Sequence, residues 1–139
     1  MFADMKSTKA SDIVREKLIE VGGTATVKML NGEAFSITIT TDCRAFETKK
    51  IPGHNYGFEV FDEIFDLLHE NGGKVDKGNG RNYKLGEGKC GSNTAVGAIG
   101  YKYWKRATGE SVYDPVFVLA AVLEWAEICH NKRGFLELC

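Results

Sequence analysis

An uncharged apolar run near the C-terminal end of the sequence, Val116 to Leu123, constrains the fold more than any other feature. It follows Asp114-Pro115, a common N-cap residue and the residue type favoured at the first helical position, so a helix is predicted from here to about His130. A surface helix needs a polar side, and this run has none. The sequence thus predicts a C-terminal helix buried between a sheet and the other helices.

The length and composition of the chain fit one folded domain. Of its 139 residues, 43% are hydrophobic and 27% are charged, as in a globular protein with one core. Residues 1–10 are expected to form a flexible tail, which leaves residues 11–139 as the domain. The longest apolar run is far shorter than the roughly 20 residues that cross a bilayer, and no signal segment is seen. The expected location is therefore cytoplasmic, with no membrane partner.

Two segments with strand periodicity flank Asn31-Gly32. Residues 24–29 and 35–40 alternate between apolar and polar side chains, and Asn-Gly is typical of a type I′ turn, so a hairpin is predicted. A third strand is expected at about residues 44–50. Together these strands form a short antiparallel meander over about residues 24–50.

Helical spacing of apolar residues predicts three more helices. One covers about residues 12–21, with Ser11 or Asp12 as its N-cap. A second begins near Phe58, and a third is capped by Ser92. The predicted fold class is therefore α+β, a small antiparallel β-meander packed by about four helices.

The segment of residues 72–91 differs from the rest of the chain, whose formal net charge is only −1. It holds seven of the sixteen glycines, five positive side chains and two negative ones. Glycines let backbone amides approach an anion, and a helix N-terminus follows. The sequence therefore predicts a site for a phosphate-bearing ligand, either a nucleic acid or a nucleotide. The candidate binding residues are Lys74, Lys77, Arg81, Tyr83, Lys84, Lys89, Ser92, Asn93, Thr94, Lys102, Lys105 and Arg106.

Two explanations fit this basic segment. In the first, its cations attract phosphate groups and Tyr83 stacks on a base. In the second, it is a mobile loop that its charges keep in water, with no ligand. Replacing Lys77, Arg81 and Lys84 together with glutamate separates them, because ligand binding should be lost while the fold is kept. Lys132-Arg133, later in the chain, would extend the same basic surface.

The helix predicted after Ser92 is unusually thin because four of its residues are small: Ala95, Gly97, Ala98 and Gly100. Glycine in a helix costs about 1 kcal/mol relative to alanine, so another backbone is expected to pack closely there. That backbone is the last helix of the same chain or a second copy, with Tyr101 and Trp104 as anchors. The competing function is therefore a protein–protein interaction module, an inhibitor or adaptor acting as a homodimer.

A third and less favoured function is a Mg²⁺-dependent nuclease. Glu47 and Lys49 lie two apart on a predicted strand, and Glu33 lies upstream, so these three residues would form the catalytic set. No other catalytic group and no cofactor is predicted. The leading function is therefore non-enzymatic.

Two further motifs are set aside. Residues 86–91 match the G-x-G-x-x-G fingerprint of dinucleotide-binding proteins, but the parallel strands that this motif requires are missing. The four cysteines lack the close pairing of zinc sites, so no metal site is predicted. The one set available for zinc would be Cys43, Cys90, Cys129 and His130.

Overall fold

The computed structural model describes residues 9–51 and 55–139. In these residues the fold is α+β, as predicted, with four helices and two antiparallel sheets. The helices are α1 (Ala10–Glu20), α2 (Val60–Glu70), α3 (Ala95–Ala98, continued by a π-helical turn over Ile99–Tyr103) and α4 (Val116–Trp125). The strands are β1 (Thr24–Lys28), β2 (Ala34–Ile39), β3 (Ala45–Glu47), β4 (Tyr56–Gly57), β5 (Lys74–Asp76), β6 (Cys129–Lys132) and β7 (Phe135–Leu138).

The predicted meander forms the first sheet, in the order β1-β2-β3-β4. Val27 of β1 pairs with Phe35 of β2, and Ile39 of β2 pairs with Phe46 of β3. These side chains point towards the core, while Thr26 and Ser36 point outwards. The sheet therefore has one buried and one solvated face, as the alternating sequence indicates.

The turn between β1 and β2 is not the predicted type I′ turn. Gly32 has a φ of 89°, but Asn31 is not in the positive-φ region. The Gly32 N–H donates to the Met29 carbonyl at 2.9 Å, and the Met29 N–H donates to the Glu33 carbonyl at 2.9 Å. The loop therefore has three residues and places glycine in its left-handed position. The hairpin prediction is confirmed and its turn type is corrected.

Helix α1 begins earlier than the N-cap prediction indicated. Ser11 and Asp12 lie inside the helix, and the Ser11 N–H donates to Asp62 Oδ1 of α2 at 2.9 Å. A side chain from another helix thus satisfies an amide of the first turn, which the local sequence does not reveal. The predicted stop is confirmed, because Gly22 and Gly23 both have positive φ at the helix end. Residues 1–8 of the expected tail lie outside the described residues.

Helix α4 is shorter than predicted. It ends at Trp125 because Glu127 is left-handed, with a φ of 62°, and the Ile128 N–H donates to the Leu123 carbonyl at 3.0 Å. This is a Schellman-type ending, which glycine usually forms. Since glutamate occupies the position, no stop signal is visible in the sequence. His130, expected at the helix end, therefore lies in β6.

The second sheet, in the order β5-β7-β6, joins the C-terminal residues to the glycine-rich segment. The apolar residues at 135–138 form strand β7, and β5 lies inside the glycine-rich segment. Because the hairpin of β6 and β7 packs beside β5, it brings Lys132-Arg133 close to residues 74–79.

Helix α4 is buried at the centre of the molecule, as predicted. Its residues Val118 to Leu123 are each at most 1% exposed, and the helix contacts both sheets, through β1 and β6. A fully buried Val or Leu side chain contributes about 1.5–3 kcal/mol, so α4 holds much of the core. In the part of the chain that the structure describes, no helix is long and apolar enough to cross a membrane.

Candidate functional site

The glycine-rich segment is structured rather than an open loop. It contains β5, a 3₁₀ turn at Gly88–Cys90 and a parallel bridge between Asp76 and Thr94. The Val96 N–H also donates to the Lys77 carbonyl at 3.1 Å. The two ends of the segment are therefore joined, and the expectation of a long irregular loop is wrong.

Its glycines allow the segment to pack against its own chain. A Cβ atom at Gly78, where φ is 79°, would lie 2.6 Å from the Lys89 carbonyl oxygen and 2.8 Å from Thr94 Oγ1. At Gly86 it would lie 2.8 Å from Thr108 Cγ2. Such contacts are too short for a side chain, so only glycine fits. The structure gives these residues a packing role where the sequence analysis expected the approach of an anion.

Thr94, rather than Ser92, caps the helix that follows. Its Oγ1 accepts a hydrogen bond from the Gly97 N–H at 3.1 Å and donates one to the Gly91 carbonyl at 2.7 Å. Because the Gly97 and Val96 amides both donate within the chain, the first turn has little donor capacity left for a phosphate. The helix N-terminus therefore forms a wall of the site, but its amides do not form the binding site for the anion.

The thin helix faces its own chain, not α4 or a second copy. A Cβ at Gly97 would overlap the Gly91 carbonyl, and one at Gly100 would lie 2.9 Å from Leu85 Cδ1. Trp104 packs edge-on against Tyr56, with ring centroids 5.6 Å apart. Gly91 and Leu85 occupy the space beside Gly97 and Gly100, so this part of the helix is not open to the second copy that the sequence analysis considered.

Several predicted ligand residues line one concave surface, which we call the basic cleft. It has a volume of about 590 Å³ and lies between the glycine-rich segment and the turn joining β6 to β7. Lys89 and Arg133 supply positive charge, and Asp76 supplies one carboxylate. The polar residues that complete the lining are Asn79, Asn93 and Thr94.

The two cations of the basic cleft are not engaged by carboxylates. Neither Lys89 nor Arg133 forms an ion pair with any acid in residues 9–51 and 55–139. Asp76 lines the same cleft but lies beyond ion-pair distance of both. The cleft can therefore offer both charges to a bound anion.

A smaller pocket of about 200 Å³ adjoins the basic cleft at Gly78 and contains Lys77 and Arg81. Its one carboxylate, Asp114, accepts the Gly80 N–H at 3.0 Å and the Val116 N–H at 3.1 Å. Both oxygens of Asp114 therefore hold backbone in place. Burial lowers the pKa of Lys77, and the nearby Cys129 and Glu124 only partly oppose this shift.

The remaining predicted cations lie elsewhere. Lys74 stacks over the Phe135 ring at 4.3 Å, and Arg106 pairs with Glu110 at 3.9 Å. Burial raises the pKa of Glu63 on α2, and the charges of Lys102 and Lys105 oppose that rise. The predicted basic face after the thin helix is thus partly balanced by acids and does not line the cleft.

Three other predicted ligand residues lie outside both concave surfaces. Lys84 and Ser92 are exposed and line neither one. The ring of Tyr83 covers Gly88, where an added Cβ would overlap it, and the residue is 36% exposed. Tyr83 therefore packs on the segment and presents only part of its ring for stacking.

The sequence reasoning missed Asn79 and Asp76 and treated Arg133 only as an extension. Asn79 accepts the Arg81 and Asn82 amides on Oδ1, each at 3.0 Å, so it shapes the turn beside the cleft. An Asn between two glycines was the available signal, since this residue type often organises turns through its side chain. Arg133 enters the cleft through strand pairing, which no local pattern shows.

The nuclease residues do not form a metal site. Glu47 and Lys49 line a cavity of about 670 Å³ beside β2. Glu33 instead bonds the Lys50 ammonium through both oxygens, at 2.6 and 2.7 Å. Among the described residues, no group of three or more His, Cys, Asp or Glu side chains is placed to hold a metal.

The other motifs also find structural explanations. Residues 86–91 form a turn and a 3₁₀ helix, and both sheets are antiparallel, so the dinucleotide fingerprint has no matching fold around it. Cys90 and Cys129 are buried, and burial raises the pKa of the Cys129 thiol to about 12. Cys129 is therefore an inert core side chain rather than a nucleophile or zinc ligand.

No protein-family model matches this chain, and no curated protein or solved structure is significantly similar to it.

Proposed function

We propose that this chain is a non-enzymatic binding protein that holds a phosphate-bearing ligand, a nucleotide or a nucleic acid, in the basic cleft. One observation carries the proposal: Lys89 and Arg133 line the same cleft, and neither is paired with a carboxylate in the described part of the chain. Cations that no carboxylate neutralises gain most from an incoming anion.

The other lining residues favour a nucleotide over bare phosphate. Arginine binds two phosphate oxygens at once, and lysine adds a point charge. Asn93 and the side-chain NH₂ group of Asn79 offer hydrogen bonds to a sugar or base. Asp76 accepts hydrogen bonds from hydroxyl groups, so the cleft suits a phosphate region bound by the two cations and followed by a hydroxyl-bearing group.

The size of the cleft agrees with a small ligand. Ligand pockets usually measure about 300–1,000 Å³, and the basic cleft, at about 590 Å³, lies within this range. The chain as a whole has a formal charge of −1, so it presents no general attraction to a long polyanion. Among the two phosphate-bearing classes, the nucleotide is the better fit.

The test is titration calorimetry with a nucleoside triphosphate, the matching nucleoside, inorganic phosphate and a single-stranded RNA. The double variant Lys89→Glu/Arg133→Glu should weaken triphosphate binding at least about tenfold, because two charge-assisted contacts become repulsive. The matched control is Lys102→Glu/Lys105→Glu, which makes the same charge change outside the cleft and should leave binding within about threefold.

Two outcomes would remove the proposal. One is the absence of binding to every phosphate-bearing probe, and the other is equal weakening by both double variants, which would mean that only the general charge matters. Salt then separates the two ligand classes. A nucleic acid releases many counterions, so its affinity falls steeply as salt rises, whereas a nucleotide held by a few contacts shows a shallow dependence.

A further inference from the structure

The small pocket beside the basic cleft contains two cations that the proposed function does not yet use, Lys77 and Arg81. Neither of them forms an ion pair with a carboxylate in residues 9–51 and 55–139. The pocket can therefore offer two further positive charges to an anion. Its complete lining is Lys77, Gly78, Arg81, Asp114, Val116 and Phe117.

Lys77 is the cation of this pocket that gains most from a bound anion. Its side chain is partly buried, and this burial lowers its pKa, while the charges of Cys129 and Glu124 oppose the shift only in part. Glu124 lies beyond ion-pair distance of it. An ammonium group that has lost water without gaining a counterion is stabilised when a negative group approaches it.

The one carboxylate of the small pocket is already engaged. Asp114 accepts the Gly80 N–H on one oxygen and the Val116 N–H on the other. The charged side chains left to contact a ligand, Lys77 and Arg81, are hydrogen-bond donors. Phosphate oxygens need donors, whereas the edge of a nucleobase presents both donors and acceptors. The small pocket therefore suits a phosphate group better than a base.

Gly78 joins the small pocket to the basic cleft, because it lines both. Lys77, just before it, lines the small pocket, and Asn79, just after it, lines the cleft. Consecutive Cα atoms are about 3.8 Å apart, so a ligand that extends from one space to the other crosses a single residue. Since Gly78 has no side chain, only backbone separates the two spaces.

The backbone at this junction also has an amide to offer. The Lys77 N–H donates to the Gly134 carbonyl at 2.9 Å, and the Asn79 N–H donates to the Lys89 carbonyl at 2.8 Å. The Gly78 N–H between them makes no hydrogen bond within the part of the chain that the structure describes. Backbone amides are common partners of phosphate oxygens, so this group is available to a phosphate that spans the junction.

The size of the small pocket indicates a subsite rather than a separate ligand site. Its volume of about 200 Å³ is below the range of about 300–1,000 Å³ that is usual for whole ligands. It still has room for several water molecules at about 30 Å³ each, and hence for a phosphate group. A group at the end of a ligand held in the basic cleft would fit it.

We propose that the small pocket is a second phosphate subsite, so that the chain binds a nucleoside di- or triphosphate in preference to a monophosphate. This inference rests on the proposed function, in which Lys89 and Arg133 hold the phosphate nearest the nucleoside. Lys77 and Arg81 then hold the terminal phosphate, and the Gly78 N–H lies between the two subsites.

The test is titration calorimetry with a nucleoside triphosphate and the monophosphate of the same nucleoside, with EDTA present to remove divalent cations. The wild-type chain should bind the triphosphate at least about tenfold more tightly. Lys77→Met/Arg81→Gln should weaken triphosphate binding at least about tenfold, because two charge-assisted contacts are lost. Its monophosphate binding should change less than about threefold, because Lys89 and Arg133 are intact. Circular dichroism checks the fold.

The matched control is Lys84→Met/Arg106→Gln. It makes the same two replacements at exposed residues that line neither the small pocket nor the basic cleft. Triphosphate binding should weaken less than about threefold in this variant, since the overall charge changes equally but no phosphate contact is removed.

The variant Lys89→Glu/Arg133→Glu distinguishes a failure of this inference from a failure of the proposed function. If it weakens both nucleotides while the wild-type chain binds them equally, the basic cleft is the site and the second subsite is wrong. Equal weakening of both nucleotides by Lys77→Met/Arg81→Gln would also overturn the subsite, because the small pocket would then hold another part of the ligand. Equal weakening by the control variant would leave only general charge. If neither nucleotide binds the wild-type chain, both proposals fail.

Discussion

Helix α4 and the glycine-rich segment are both packed against the rest of the chain. Packing explains all the residue types in the apolar run of α4 but only some of those in the glycine-rich segment. In α4 every residue from Val118 to Leu123 is buried, so burial accounts for the whole run. In residues 72–91 the tight approaches at Gly78 and Gly86 account for glycines, whereas cations such as Lys89 form no ion pair in the described chain. The segment thus combines glycines that close packing requires with cations that form no ion pair in the described residues.

The largest expected effect tests the α4 side of this comparison. Leu119→Asp places a charge at a fully buried position, which costs several kcal/mol. This cost is a large part of the whole free energy of unfolding of a domain, roughly 5–15 kcal/mol. The variant should fail to fold, as measured by circular dichroism and thermal melting. Leu119→Met conserves volume and should cost less than about 1.5 kcal/mol. A soluble Leu119→Asp protein with unchanged melting would show that α4 is not the core.

The next-largest effect tests whether a closely packed glycine outside α4 contributes as much to the stability of the fold as a core residue does. Gly97→Ala forces a Cβ into the Gly91 carbonyl and should destabilise the fold by about 2–3 kcal/mol in urea denaturation. Gly32→Ala is the control, since Gly32 has a φ of 89° with open space around it. It should cost only about 1 kcal/mol of backbone strain. A loss at Gly97 no larger than at Gly32 would mean that the close approach to the Gly91 carbonyl relaxes at little cost, so that close packing does not require this glycine.

Much of the fold was predictable because its signals are local. The alternation in β1 and β2, the glycine stop after α1 and the apolar run of α4 each act within a few residues. The predicted helix ends were wrong where a residue distant in sequence supplied a hydrogen bond, or where the residue type that usually ends a helix was absent. Asp62 extends the start of α1, and Glu127 ends α4 in a position that glycine usually fills.

The candidate site was only partly predictable because it is assembled by pairing between distant strands. The sequence indicated a basic segment, and Lys89, Asn93 and Thr94 do line the cleft. Local charge could not show that Lys102 lies near Glu63, nor that the β6–β7 turn brings Arg133 to the cleft. Composition indicated a segment that lines the cleft, and tertiary packing determines which cations line it with Lys89.

A smaller effect separates the observed cap from the predicted one. Thr94→Ala removes the hydroxyl that accepts the Gly97 N–H, so it should cost about 1 kcal/mol. Ser92→Ala changes an exposed residue with no capping bond in the structure and should stay within about 0.5 kcal/mol of wild type. Chemical denaturation of both variants measures this. A larger loss at Ser92 would restore the cap predicted from sequence and weaken the assignment of Thr94 to the wall of the cleft.

The smallest expected change concerns Lys77, the cation of the segment that is most affected by burial. Burial lowers the pKa of Lys77 in the folded protein below the usual value of 10.5, which the unfolded chain keeps. At a pH between the lowered pKa and 10.5, the unfolded chain therefore holds more protons than the folded one. The stability of the wild-type protein should therefore rise with pH across that window, because the fold disfavours the charged form.

Lys77→Met removes this charge and keeps a side chain of similar length. It should leave stability unchanged or raise it by no more than about 0.5 kcal/mol near neutral pH, and the rise with pH should disappear. Urea denaturation near neutral pH and again just below the pKa of a free lysine measures both effects. If Lys77→Met instead destabilised the fold by more than about 1 kcal/mol, the cation would be structural. Lys77 would then help to hold the fold, as Gly78 beside it does. The contrast between the glycines and the cations of this segment would not hold at that position.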